Sequence, residues 1–525
     1  MKHTVMIKKL FKYTWVVSLL FLAACSPKTE YTNALPKDAS VVVAMELDEM
    51  AQKAGLNGAE GQKVVDKLKG FLKGGLQGEA ARLAERIVEQ PSESGLSLND
   101  KVYLFATPHA QAFAILAKVA DESKVEALLK TLEKESIATP LKEESGSRWT
   151  QIGKVLCAFN NGTFLLLQPT KGEASAMQGT LHSLMRQKEG EGFAALPEFG
   201  RIEAEGNDIA SVVNLTAVPY ELTTTLRMGL SADIRLEDIK YLLTANFEQG
   251  RLVVNSESLI QNPKVLGFFD AMDKVMQPIQ GKLLDCYQGN TQLWVGGHIK
   301  GKELYNMLCQ NPAIKRTLDN PLLPVDVEYI FSSIEGDFAV GNSSLLTGEY
   351  LLYADVTNSD FLKTFEDLRP LLALTGGQIT LETIDKDEYL MRTAYGNFWF
   401  GVKNKRLYVT NKKAWAEEAG RTYGASLGVK TWASEVKENR LYASLNLAAF
   451  QTSLKEVLGQ YSSESLEKNG MTIAALMILH SQFDYLNVSM SDWQHGQAEL
   501  VLKDKQTNLL QWLVGILGSE NDFLN

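Results

Sequence analysis

Apolar and polar positions along the chain follow a pattern that recurs four times. In each recurrence an apolar, β-rich run passes through a polar turn into a segment with a 3.6-residue period. The four segments are Ala39–Gly55, Asn207–Arg227, Thr291–Cys309 and Asn439–Gly459. Each of them predicts a strand followed by an amphipathic helix.

A second kind of segment follows each of these and predicts two strands joined by a turn, then a helix. The first copy contains the strands Val102–Thr107 and Ala112–Val119 and the helix Glu122–Leu132. Its counterparts begin near Tyr241, Asp337 and Tyr485. The first and third copies carry an additional hairpin, at residues 155–167 around an Asn-Gly turn and at residues 398–410.

This order predicts an α+β fold built from repeated β-α-β-β-α modules. Such modules resemble the split β-α-β arrangement, with antiparallel sheets and helices on one sheet face. Either one module was copied four times, or a two-module half was duplicated once. We therefore predict a first half at 36–285, with a helical insertion at about 56–90, and a second half at 286–525.

The N-terminal residues have a basic, then apolar, then small-residue pattern that ends in a cysteine. Four lysines precede the apolar run Tyr13–Leu22, which is shorter than the roughly 20 residues that a membrane-spanning helix needs. Ala23 and Ala24 then precede Cys25. The pattern predicts a lipoprotein signal peptide at 1–24, lipidation of Cys25 and a polar tether at 25–35.

The charge balance argues against a nucleic-acid partner. The chain has 53 Lys and Arg against 63 Asp and Glu, a net charge of −10. Removing residues 1–24 removes four lysines and no acids, so the balance becomes 49 minus 63, or −14. Nucleic-acid-binding proteins normally present a basic surface instead.

The residue types that form metal and catalytic sites do not occur in suitable spacings. The histidines at 109, 182, 298, 480 and 495 are far from one another, and no phosphate-binding or nucleophile motif is complete. Cys157, Cys286 and Cys309 suggest buried free thiols, and a Cys286–Cys309 bridge stays open. We predict no catalytic residue, no metal site and no cofactor.

The tryptophans allow two interpretations. Exposed indole rings stack on sugars, and Trp399 lies in a predicted hairpin while Trp493 lies near a predicted hairpin turn. Aromatic rings also pack well on sheets, so the same residues can belong to cores.

Two segments near the N-terminus resemble a known family. Leu35–Leu56 (LPKDASVVVAMELDEMAQKAGL) and Leu98–Pro108 (LNDKVYLFATP), together with the cysteine motif, resemble a Bacteroidetes family of large lipoproteins of unknown function. The resemblance implies a Gram-negative cell envelope, with lipid anchoring in the outer membrane. It implies no activity, so no catalytic residue is carried over.

Together these features predict a lipid-anchored envelope protein whose role is binding rather than catalysis. Its expected partners are the membrane, through the N-terminal lipid, and a protein or glycan ligand. Two alternatives stay open: an envelope hydrolase acting on glycans or peptides, and an assembly component facing the periplasm.

Overall fold

The structure, a computed structural model, describes residues 30–107, 111–218, 234–319, 325–344, 347–449 and 481–518 of the 525-residue chain. The chain forms two compact units. Unit 1 comprises residues 1–261 and 505–525, and unit 2 comprises residues 262–504. Cys25, the predicted signal peptide at 1–24 and residues 25–29 of the predicted tether lie outside the described residues.

The described end of the predicted tether is packed against unit 1. Glu30–Ala34 forms a 3₁₀ helix, and Tyr31 and Leu35 are buried. The Tyr31 hydroxyl donates a hydrogen bond of 2.9 Å to the carbonyl of Lys101. The core of unit 1 therefore begins a few residues before position 36.

The strands of unit 1 form one antiparallel sheet. Its order within the described residues is β4-β5-β6-β7-β3-β2-β1-β8-β9-β10. In chain order the strands are β1 (Val41–Met45), β2 (Val102–Thr107), β3 (Ala112–Lys118), β4 (Lys142–Glu144), β5 (Ser147–Ile152), β6 (Val155–Phe159), β7 (Thr163–Pro169), β8 (Ile209–Asn214), β9 (Lys240–Glu248) and β10 (Arg251–Ser258). The additional hairpin predicted at 155–167 is thus the second of two consecutive hairpins, β4–β5 and β6–β7.

Helices of unit 1 cover both faces of this sheet, which corrects the prediction of helices on one face. The helices are α1 (Leu47–Lys53), α2 (Ala59–Gly75), α3 (Gly78–Glu89), α4 (Glu122–Lys134), α5 (Gln178–Met185), α6 (Pro197–Ile202) and a C-terminal helix (Leu509–Gly518). Helices α5 and α6 pack on the face that contains Val42 and Tyr103, whereas α3 and α4 pack on the face that contains Val102 and Phe159. Strand β6 is buried at every position, as expected for a strand covered on both sides.

Unit 2 contains a second antiparallel sheet. Its order within the described residues is β15-β16-β17-β18-β14-β13-β12-β19-β20-β21, and β11 pairs with β12. The strands are β11 (Met276–Gln277), β12 (Leu293–Lys300), β13 (Ile334–Asn342), β14 (Leu351–Val356), β15 (Thr380–Asp385), β16 (Glu388–Thr393), β17 (Gly396–Lys403), β18 (Arg406–Thr410), β19 (Leu441–Asn446), β20 (Phe483–Met490) and β21 (His495–Leu502). The helices are α7 (Pro263–Val275), α8 (Gly301–Leu308), α9 (Pro312–Leu318), α10 (Val327–Ser333), α11 (Lys363–Glu366), α12 (Arg369–Ala373) and α13 (Lys413–Glu418).

The strand orders of the two units correspond position by position. Strand β1 lies between β2 and β8 in unit 1, and β12 lies between β13 and β19 in unit 2. The backbone N–H of Asn214 donates to the carbonyl of Ser40 (2.9 Å), and the N–H of Asn446 donates to the carbonyl of Gln292 (2.7 Å). The α+β class with antiparallel pairing is confirmed, and the origin of both units from one duplicated half stays a prediction.

The helix that follows the last strand of each sheet belongs to the other unit. Helix α7 follows β10 of unit 1 but is part of unit 2. The C-terminal helix follows β21 of unit 2 but is part of unit 1, where it packs on α2. The two units have therefore exchanged their terminal helices.

Candidate ligand-binding cavity

A cavity of about 1020 Å³ lies inside unit 1, between the sheet and a layer of helices. Its floor is one face of strands β1, β2, β3, β6 and β7. Because side chains alternate along a strand, every second residue points to this face. The floor residues include Val41, Val43, Met45, Val102, Leu104, Ala106, Phe113, Ile115, Val155, Leu166 and Gln168.

The roof of the cavity consists of four helices. Leu47 and Met50 of α1, Val64 and Leu68 of α2, and Ile87 of α3 line it. Spacings of three or four residues place such positions on one helical face. The C-terminal helix closes the roof with Leu510, Leu513, Val514 and Leu517.

Hydrogen bonds and ion pairs fix the roof helices in place. Lys53 of α1 reaches the fully buried carboxylate of Asp208, with 2.6 Å between Nζ and Oδ1. Lys69 of α2 pairs with Glu89 of α3 at the same distance. The side-chain amide of Asn508 donates to the carbonyl of Phe247 (2.7 Å), and its Oδ1 accepts the N–H of Leu510, which caps the C-terminal helix.

Gly61 sets how closely α2 can approach the end of α1. A Cβ added at this glycine would lie 2.1 Å from the carbonyl oxygen of Leu56, which is far inside van der Waals contact. Any larger residue at this position would therefore push the start of α2 outward. The position of Val64 and Val65, which line the roof, depends on this glycine.

The cavity wall is almost entirely apolar. Of the described residues that line it, Gln168 alone has a polar side chain, and none is ionisable. General acid–base or nucleophilic catalysis needs such groups within hydrogen-bond reach of the substrate. The chemistry this wall supports is therefore the binding of an apolar molecule.

The roof does not close onto the floor. Val43, Leu104 and Ile115 keep partial solvent exposure although helices lie above them, and Phe113 at one end of the cavity is 62% exposed. An empty sealed cavity costs about 24 cal/mol per Å³, so this volume would cost on the order of 20 kcal/mol. That exceeds the whole stability of a typical domain, roughly 5–15 kcal/mol. The space must therefore be filled. Either a ligand occupies it, or water enters it through an open mouth.

A family model matches residues 31–510, which is most of the chain, and its description is "Domain of unknown function (DUF4836)". The chain belongs to the DUF4836 family. The match begins at the packed Tyr31 and ends at Leu510 in the C-terminal helix, so it includes both the floor and most of the roof of the cavity.

Comparisons outside this family contribute little. No curated protein matches the chain. Two crystal forms of TP0453, III and I, are similar to 48% of this chain over 88% and 89% of their own length, at 11% and 9% identity. Their TM-scores are 0.27 and 0.26, which are too low to support any inference about this DUF4836 protein.

The cysteines of the DUF4836 domain are free thiols. Cys286 and Cys309, whose pairing the sequence left open, are not bridged. The Sγ atom of Cys286 lies 3.1 Å from a guanidinium nitrogen of Arg406. Burial raises the pKa of Cys157, and burial also raises the pKa of Cys286 against the opposing effect of Arg406. Both thiols therefore resist the ionisation that nucleophilic chemistry requires.

The histidines are held in separate places. His298 and Asp337 form a buried pair in unit 2, with 2.9 Å between Nδ1 and Oδ1. His182 packs edge-on against Trp149 in unit 1, and His495 pairs with Asp492 beside the β20–β21 turn. His109 and His480 lie outside the described residues. In the described parts of the chain, no three potential ligands come together to hold a metal.

The tryptophans considered for sugar stacking are at least partly covered. Trp149, Trp294 and Trp432 are buried in the cores. Trp399 and Trp493, near the predicted turns, are also not exposed residues. These positions support packing rather than a glycan platform. Over the parts of the chain that are described, no helix is both long and apolar enough to cross a membrane.

Sequence reasoning identified the separate walls of this site but not the cavity. The segment at about 56–90, which contains α2 and α3, was predicted to be helical, and β1, β2 and β6 were predicted as strands. Periodicity shows that each surface is buried, but it does not show whether two buried surfaces touch. The continuous apolarity of the C-terminal helix (LLQWLVGILG) was the remaining signal, since such a helix needs cover on all sides.

Proposed function

We propose that this protein is a lipid-anchored envelope protein that binds an apolar ligand in the unit 1 cavity and does not transform it. The observation that carries the proposal is the large cavity whose wall includes one polar side chain and no ionisable one among the described residues. A site with this wall favours an apolar ligand over the glycan or peptide substrates of the hydrolase alternative.

The anchor is a separate part of the proposal. The order of lysines, a short apolar run, Ala23, Ala24 and Cys25 supports attachment of lipid to Cys25. The resemblance to a Bacteroidetes lipoprotein family implies the envelope of a Gram-negative bacterium, with the outer membrane as the site of attachment. Metabolic labelling with a fatty acid tests it. Label that persists in a Cys25→Ser variant would contradict the assignment.

We also propose that units 1 and 2 descend from one duplicated half. Matching strand orders support this, and so do two polar cross-strand pairs at the same register position. One pair is Glu46 with Lys101 (3.4 Å) in unit 1, and the other is His298 with Asp337 in unit 2. The Glu46–Lys101 pair lies one position beyond the Met45–Val102 pair of unit 1. The His298–Asp337 pair lies one position beyond the Gly297–Phe338 pair of unit 2.

Ligand binding is tested by filling the cavity. Leu104 projects from the floor, so Leu104→Trp places an indole ring where the ligand would lie. We expect the variant to fold and to lose about tenfold or more in affinity for cis-parinaric acid, a fluorescent fatty acid. Two methylene contacts at about 0.8 kcal/mol each account for that loss.

The matched control is Phe71→Trp, on helix α2 but outside the cavity lining and half exposed. It adds an indole of the same size, and the affinity should stay within twofold of wild type. Equal binding by both variants, or no binding of the fatty acid by the wild-type protein, would overturn the proposed function.

A further inference from the structure

The size of the unit 1 cavity distinguishes between classes of apolar ligand. If each carbon-sized group occupies about 30 Å³, the share of one water molecule in the liquid, then 1020 Å³ holds roughly 34 such groups. This is about twice what a single long fatty acyl chain contains. One chain would leave half of the space unfilled.

The length of the floor gives a second, independent measure. The lining runs across five neighbouring strands, β1, β2, β3, β7 and β6. Four spacings of about 4.8 Å give a span of roughly 19 Å. A zigzag of bonds of about 1.5 Å advances roughly 1.25 Å per carbon, so an extended chain of about 15 carbons matches the span. Phe113 on β3 and Gln168 on β7 lie in the middle of this span, so the span shows that a long chain can lie across the floor, and the number of chains rests on the volume.

The polar end of a ligand has one suitable place. Gln168 on β7 lies directly opposite Phe113 on β3, and Phe113 is the most exposed large residue of the cavity wall. The side-chain amide of Gln168 makes no hydrogen bond to another described residue, so it can donate to an ester carbonyl. The charged part of a lipid would then lie in water outside this mouth, where no described lining residue carries an opposite charge.

We infer that the ligand is a lipid with two long acyl chains, held by its chains and with its polar end at the Phe113–Gln168 mouth. This inference rests on the proposed function and specifies its ligand. Recognition through the chains predicts strong dependence on chain number and length. It also predicts little dependence on the headgroup.

The test measures displacement of cis-parinaric acid from the mature chain carrying Cys25→Ser, so that its own lipid is absent. We expect two fatty acids per protein and their displacement by one equivalent of a phospholipid with two 16-carbon chains. Ethanolamine and glycerol headgroups should compete within about threefold of each other. Affinity should rise by up to about fourfold per added methylene and level off near 15 carbons.

Variants at the mouth and at the floor separate the possible outcomes. Gln168→Leu should weaken phospholipid binding about fivefold, the loss expected for one hydrogen bond. Ile115→Trp, directly opposite Leu104 on the floor, should bind one fatty acid instead of two, with the same affinity loss as Leu104→Trp, and should lose the phospholipid. If Ile115→Trp fails to fold, Val43→Phe makes the same test with a smaller addition.

Three results would overturn or relocate the inference. One fatty acid per protein and no competition by the phospholipid would refute the two-chain ligand and leave the proposed function standing. No fatty acid binding at all would refute both. The lipidated protein with Cys25 intact serves as a control. If its cavity is already occupied before any titration, the ligand is the protein's own acyl chains rather than a separate lipid.

Discussion

Removal of the Lys53 side-chain charge tests how the roof of the cavity is held to the sheet. The Asp208 carboxylate is 0% exposed and accepts two hydrogen bonds, from Lys53 Nζ at 2.6 Å and from the N–H of Phe247 at 2.7 Å. Lys53→Met leaves one donor for a buried charge. Breaking a fully buried pair costs about 3–5 kcal/mol.

Partial exposure of Lys53 lowers this figure. Its side chain is 37% exposed, so water screens part of the attraction, and the Phe247 N–H remains. We therefore expect a loss of about 2 kcal/mol, within the range of about 1.5–3 kcal/mol for a hydrogen bond to a charged group. This corresponds to roughly a thirtyfold change in the folding equilibrium.

The assay is urea unfolding, monitored by hydrogen–deuterium exchange. The exchange is measured separately on peptides that cover α1 and β9. Adding Asp208→Asn to Lys53→Met should restore part of the loss, because it removes the unpaired charge. The control is Lys63→Met, whose partner Glu60 lies one helical turn away with both side chains more than half exposed. That pair should contribute under about 0.5 kcal/mol. Equal effects of Lys53→Met and Lys63→Met would refute the reasoning.

Three further predictions concern other parts of the structure. Burial acts to raise the pKa of Asp337, but hydrogen bonds from the His298 ring and the Gln280 N–H outweigh it and hold the pKa below its usual range. The carboxylate therefore contributes stability at pH values above its unfolded-state pKa of about 3.9, and this contribution is lost as the pH falls through its lower folded-state pKa. The destabilisation that Asp337→Asn causes in urea unfolding should shrink below about pH 4. A destabilisation that stays constant with pH would contradict this. Under native conditions an alkylating reagent should modify the partly exposed Cys309 well before Cys157, because complete burial raises the pKa of Cys157. Equal rates of modification in peptide mapping would disprove this prediction. Val514→Asp places an unpaired charge at a buried position of the C-terminal helix, so this helix should detach and fatty acid binding should be abolished. Hydrogen–deuterium exchange rates in β12–β14 should stay unchanged. Retained binding would show that this helix is not part of the site.

Much of the strand arrangement follows directly from the residues. Strand β2 has the predicted bounds Val102–Thr107, and β6 and β7 form the hairpin predicted at residues 155–167. Strand β4 was missed because Lys142–Glu144 is exposed at every position. A strand at the edge of a sheet, with water on both faces, lacks the alternation on which such a prediction depends.

The candidate site was less accessible to sequence reasoning. The hydrophobic pattern predicts the strands that contain Val43 and Leu104, and a helix that contains Val514 after the strands that begin near Tyr485. It does not show that Val514 returns to the first unit after the whole of the second, since periodicity is a local property. The volume between sheet and helices depends on distances between layers, such as the approach that Gly61 permits, and these appear only in three dimensions.

The exchange of terminal helices has a consequence for when the cavity can close. The floor strands lie in the first part of the chain, whereas Leu510–Leu517 follow the whole of unit 2. A chain that lacked Leu509–Gly518 would keep the floor strands but leave one side of the apolar floor open to water. Closure of a cavity in the first unit is therefore coupled to the folding of a helix that comes after the second unit.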